Sequence, residues 1–199
     1  MFQFLRRRRV ARRGLFCRLR GDRGSSVVEF ALVMPILATL VMGIIDFGAT
    51  FDTWSAVRQG VWNGARSGAV AIFGSSSNCN LTFTGGGSAP SADMEDLMCL
   101  TKAEIGLPTS SIRTDVILSD PTLSVTGTAW TVTGGLTVCA QVPANSVTGF
   151  FGFVFSGHYL RAKTTLRIEQ ASASPESQGY ETDPSGSNWS WCTPAGSAP

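Results

Sequence analysis

The sequence predicts an α+β protein: a long N-terminal transmembrane and amphipathic helix, followed by a small antiparallel-sheet domain with one short helix. Three observations predict it. Sixteen residues without a charge, Phe30 to Ile45, abut a block of arginines. Apolar residues at helical spacing continue beyond that run to about Phe73. After Pro108 the apolar period shortens towards two. At 199 residues the chain has room for one modest domain and its appendages. The boundaries fall at 1–24 (basic leader), 25–73 (transmembrane and extended helix), 74–171 (α+β domain) and 172–199 (Ser/Pro/Gly-rich tail).

The leader explains why the net charge of +2 misleads. Residues 1–24 hold nine of the sixteen Arg and Lys and a single acid, Asp22, which puts them at +8 and leaves −6 for the rest. A basic block alone suits nucleic acid, but beside an apolar run it sets membrane orientation, with the positive side cytoplasmic. The expected partner is therefore the membrane and not nucleic acid. Phe30–Ile45, with Pro35 inside it, spans about 24 Å as a helix, short of the ~30 Å hydrocarbon core. Val27 and Val28 upstream and Phe47, Ala49 and Phe51 downstream complete the span, taking in Glu29 and Asp46 near its ends. A cleaved secretory signal has a shorter apolar region followed by a small-x-small site. Gly-Ile-Ile-Asp-Phe-Gly after this one fits that poorly, so the helix is read as a retained anchor.

Past the anchor, Phe47, Phe51, Trp54, Val57, Val61, Ala65 and Ala69 form one helical stripe. Gly60, Gly64 and Gly68 lie four apart on a face of their own. Each costs about 1 kcal/mol against Ala in a helix. Such a stripe fits either a close helix-packing face or a flexible neck. Ser91 or Asp93 caps a short helix with Met94, Leu97, Met98 and Ile105 on one face, stopped by Gly106 and Pro108. Strands are expected at Ile112–Leu118, Gly135–Val142 and Tyr159–Gln170, with Leu123–Val132 a candidate fourth. Phe150–Phe155 is the most apolar patch outside the anchor; a core strand, a membrane-resting loop and a partner surface all fit it. From Ser172 the composition reads as an extended tail, its end pinned back by Trp189, Trp191 and Cys192.

Cys79, Cys99, Cys139 and Cys192 all follow the anchor, while Cys17 lies in the leader. Four dispersed cysteines in a charge-poor domain predict two disulfides in an oxidising compartment. Pairing Cys79 with Cys99 closes a local loop of about 20 residues, contributing roughly 3 kcal/mol in the chain-entropy picture. Cys139 with Cys192 then clips the tail across the sheet. The crossed pairings ask more coincidence of geometry. No C-x-x-C pair occurs and His158 is the one histidine, so no metal site, cofactor or small-molecule substrate is expected. No nucleophile–base set, Walker loop or dinucleotide fingerprint appears, which argues against an enzyme.

The junction Arg23-Gly24-Ser25-Ser26-Val27-Val28-Glu29-Phe30 carries the most information. An ionised Glu29 in hydrocarbon costs about 2–3 kcal/mol and needs a partner. Cleavage after Gly24 creates one, the α-amino group of Ser25, one helical turn away on the same chain or on a neighbour. A hydrated glutamate at the membrane edge is the plainer reading of the same spacing.

Gly-x-x-x-x-Glu-Phe, the run Glu29–Leu37 and Gly43-Ile44-Ile45-Asp46-Phe47-Gly48 resemble the TadE-like minor pilins (pseudopilins) of the tight-adherence (Tad/Flp) type IV pilus system. Ala65-Arg66-Ser67-Gly68-Ala69 resembles the end of that region. The resemblance covers residues 24–70 and is diffuse beyond. It implies cleavage between Gly24 and Ser25 by a membrane prepilin peptidase, with N-methylation of the new terminus. It further implies assembly with other pilin or pseudopilin subunits on a pilus assembly platform driven by a cytoplasmic ATPase, in service of cell adhesion. Two other classes compete: a membrane-tethered binding domain with an uncleaved anchor, and a tethered hydrolase.

Overall fold

The computed structural model describes residues 22–73, 79–83, 90–119, 130–172, 179–186 and 189–193, with the side chains of 22–25 left out. Most of the leader and residues 123–129 of the candidate fourth strand therefore lie outside the described residues. By packing, the chain divides into two units, Met1–Ile44 and Ile45–Pro199. The described part of the first is a stretch of helix α1, Asp22–Ala69, running through Pro35. Every side chain from Ser26 to Met42 is exposed. Apolar side chains without protein around them are what a lipid-facing segment presents.

The second unit is a sheet between helices and a returning tail. Helix α2 (Ala92–Ile105) starts after Ser91 and ends at Gly106, whose φ of 72° turns its N–H back to the Ala103 carbonyl. Strands β1 (Arg113–Ser119), β2 (Gly135–Pro143), β3 (Tyr159–Arg167) and β4 (Gly179–Tyr180) pair antiparallel in the order β3-β2-β1-β4. Because strand side chains alternate, Val116 and Leu118 of β1 and Leu136, Val138 and Ala140 of β2 face one way. They meet Val57, Val61 and Ala65 of α1 and Met94, Leu97, Met98 and Ile105 of α2 in the main core. On the other face Cys139 joins Cys192, Trp189, Trp191 and Ile117 in a smaller cluster. β2 is thus buried on both faces.

Four sequence expectations change. The helix ends at Ala69, not near Phe73, because Ala71 turns to φ 50° and the N–H groups of Glu169 and Gln170 take the Ala69 carbonyl. On its stripe Phe47 and Phe51 are exposed, and burial is complete only from Val57 onwards. Trp130–Val132 are not strand; the fourth strand comes from Gly179–Tyr180, inside the Ser-rich stretch read as tail. A side chain at Gly179 would press within 2.9 Å of Met94, Met98 and Pro90, so glycine there permits close approach to α2. Phe150–Phe155 is not a core strand: it turns into a short helix, α3 (Gly152–Phe155), of which Phe155 alone is buried.

Candidate functional site

Gly24 and Ser25 lie in the opening turn of α1, and Glu29 is exposed one turn along. Ser25 and Glu29 are four residues apart along this helix. Phe30, Pro35 and Ile45 are likewise in α1. Among the described residues one helix is long and apolar enough to cross a membrane. Its later turns carry Val57, Val61 and Ala65 into the domain core. The lipid-compatible part is therefore about Ser26–Ile45, whose twenty residues give ~30 Å, one hydrocarbon thickness.

The glycine face packs closely. A Cβ on Gly60 would overlap Ile105 and one on Gly64 would overlap Thr101, both on α2; one on Gly68 would stand 2.6 Å from Leu136 of β2. Gly48, on the same helix, has open space around it. The stripe is a helix-packing face, used inside this chain against α2 and the sheet. Each glycine accepts a propensity loss so that α2 can approach.

The sequence reading gave Asp46 no partner within the chain. It entered that reading as a charge the span had to accommodate and as part of the family-like run Gly43–Gly48. Its carboxylate is buried and accepts four hydrogen bonds from one loop. Ser146 Oγ donates at 2.7 Å, Thr148 Oγ1 at 2.7 Å, Val147 N at 3.0 Å and Thr148 N at 2.8 Å. The hydroxyls in turn accept from Gly149 N and Phe150 N. A buried carboxylate is tolerable when donors replace its water. Here Ser146-Val147-Thr148-Gly149 supplies two hydroxyls and two backbone N–H groups. The available signal was the pair of hydroxyl residues, Ser146 and Thr148, opening a charge-free aromatic run a hundred residues away in sequence.

Next to this clasp, Phe47 packs against Phe155 (ring centroids 5.5 Å) and Phe151 (6.4 Å). The first residues beyond the anchor are thereby fixed to the aromatic turn by a polar contact and an apolar one.

Two further polar features hold the domain together. Lys102 and Glu181 form a fully buried ion pair at 2.8 Å. Lys102 Nζ also donates to the Asn80 carbonyl, and Glu181 accepts from Thr82 N, Thr114 N and Thr114 Oγ1. The pair ties α2, the Cys79 loop, β1 and the tail at one point. Burial pushes the Lys102 ammonium below its ordinary range, against the pull of Glu181. Asp115, buried in β1, is pushed up to about 7 by desolvation, with the Val116 N–H opposing. The cysteines pair as Cys79–Cys99 (Cα–Cα 5.3 Å), the local loop, and Cys139–Cys192 (6.0 Å), the clip that carries the tail across the sheet.

An open groove of about 700 Å³ runs between α1 and the outer strand β3, lined by Arg58, Gln59, Trp62, Asn63 and Lys163. Among the described residues no cluster of three or more His, Cys, Asp or Glu is placed to hold a metal ion.

Neither curated proteins nor solved structures yielded a match to the chain. A family does: residues 24–66, from the glycine of the junction through the anchor and the first two glycines of the packing face, match the model of the family described as TadE-like protein.

Proposed function

We propose that this chain is a structural minor pilin, or pseudopilin, that a prepilin peptidase cuts between Gly24 and Ser25 before it enters a surface adhesion pilus. The observation that carries the reading is where the family match begins: at Gly24, the last residue of the basic block. In this reading Glu29 meets the new α-amino group of Ser25, in its own chain or in the neighbouring subunit. The basic leader stays cytoplasmic and the domain faces outwards. Two disulfides in that domain support this orientation, since such bonds persist in oxidising compartments. The partners are the membrane, the peptidase, other pilin or pseudopilin subunits and the assembly platform.

Intact-mass analysis of the protein extracted from membranes tests the proposal. Mature chain beginning at Ser25, with precursor accumulating when Gly24 is replaced by a bulky residue, is the expected result. Mature protein that retains residues 1–24 overturns it. The α1–β3 groove, with Trp62 and two cations, favours one second reading: a tethered binding domain whose anchor is never cut. The same mass measurement separates the two.

A further inference from the structure

The aromatic turn is left over once the core and the disulfides are accounted for. Residues 144–157 contain no charged side chain. Val147 is 69 % exposed, Phe150 54 % and Phe153 79 %. Burying apolar side chains of this size is favourable, so leaving three in water forgoes that gain three times over. Such a patch needs an occupant.

The clasp indicates which one. The turn is bound to Asp46 by four hydrogen bonds and to Phe47 by two ring contacts. Asp46 and Phe47 immediately follow Ile45, where the lipid-compatible stretch ends. Two residues of any chain reach at most about 7 Å. The headgroup layer beyond the hydrocarbon is itself about 5–7 Å deep on each side. With the span in a bilayer, whatever is packed on Phe47 therefore lies at headgroup depth. Exposed phenylalanines and a charge-free backbone turn suit that layer, where rings enter the acyl boundary while polar groups stay hydrated.

We propose that the turn Val147–Val154 rests in the membrane interface as a second lipid contact beside the anchor, with Phe150 and Phe153 inserted and Asp46 holding the turn in place. The proposal rests on the single-pass reading. It deepens that reading by naming a lipid-binding element in the domain and a role for the buried aspartate.

The test uses the full chain in vesicles of phosphatidylcholine and phosphatidylglycerol. Benzoylphenylalanine is placed singly at Phe153, at Leu40 in the anchor, or at Val132, an exposed position in the domain. Non-reducing mobility confirms that the disulfides have formed in each variant. Irradiation should give lipid adducts at position 153 at least about fivefold above position 132 and of the same order as position 40. Position 153 labelling no more than 132, while 40 labels strongly, overturns the interfacial contact and leaves the anchor standing. Failure of 40 as well overturns the span and this proposal together. Adducts from 153 to a second copy of the chain instead of lipid make the patch a subunit interface, and overturn it too.

Discussion

The two halves of α1 share one backbone conformation and differ in everything their side chains meet. From Ser26 to Met42 every side chain is exposed, and Leu, Ile, Val, Met and Phe dominate. From Val57 to Ala69 a stripe of Val, Ala and Gly is buried against α2 and β2, while Arg58, Trp62, Asn63 and Arg66 face outwards. Beyond Glu29 the first half is apolar all round, as suits a helix in lipid; the second is apolar on one face, as a helix on a core must be. Asp46 stands between the two regimes with its charge capped by loop donors. The comparison teaches that one helical period can carry an all-round apolar surface and a one-sided one, and that side-chain size marks the change. The exposed, lipid-compatible half uses bulky residues, and the packed half uses small ones because another helix must come close.

The largest expected effect comes from the interior of the second unit. Lys102→Met leaves Glu181 buried without its counter-charge and should cost about 3–5 kcal/mol in denaturant unfolding. Insertion of the anchor should be unchanged. A cost below about 1 kcal/mol would mean that water reaches the pair, and that the second unit is less dry than the contrast requires.

Asp115 supplies a pH-dependent version of the same test. Its folded pKa, about 7, lies above its ordinary value of 3.8, so the folded chain binds more protons between these limits. Stability from this group is therefore present at low pH and lost as pH rises from about 4 to 7, by up to about 4 kcal/mol. Asp115→Asn mimics the protonated form. It should match the parent near pH 4 and exceed it at pH 8, as read from urea midpoints. Equal midpoints at both pH values would remove Asp115 from the dry interior.

Glycine substitutions address the helix directly. Gly64→Leu should destabilise by about 3 kcal/mol, because the side chain has to displace Thr101 and with it α2. Gly48→Ala meets nothing and should gain up to about 1 kcal/mol from helix propensity. Thermal unfolding of the two variants side by side sharpens the boundary. If both were neutral, the packing face would not be a packing face.

The smallest pair is the plainest. Val61→Ala should cost on the order of 2 kcal/mol of domain stability, since Val61 is fully buried. Ile36→Ala should leave that stability unchanged and weaken membrane partitioning slightly, measured by flotation with vesicles. An equal loss of domain stability from Ile36→Ala would erase the distinction between the halves.

Local patterns determined much of this protein. The basic block and charge-free run, the glycine junction with Glu29, helix α2 and three strands are all short-range signals of period, cap and composition. Of the cysteine pairs, Cys79–Cys99 was legible as a short local loop and Cys139–Cys192 as a clip of the tail across the sheet. Tertiary structure alone decided the rest, because it depended on residues far apart in sequence. Gly60, Gly64 and Gly68 were ambiguous until Ile105, Thr101 and Leu136 stood against them. Asp46 looked like a cost until Ser146–Thr148, a hundred residues on, supplied its donors. Glu181 and Gly179 sat in a stretch with tail composition, yet one holds the buried lysine and the other lets a strand slip beside α2. Composition reports how easily a segment is solvated by itself. It is silent on which partner arrives to replace the water, and that exchange is settled by packing.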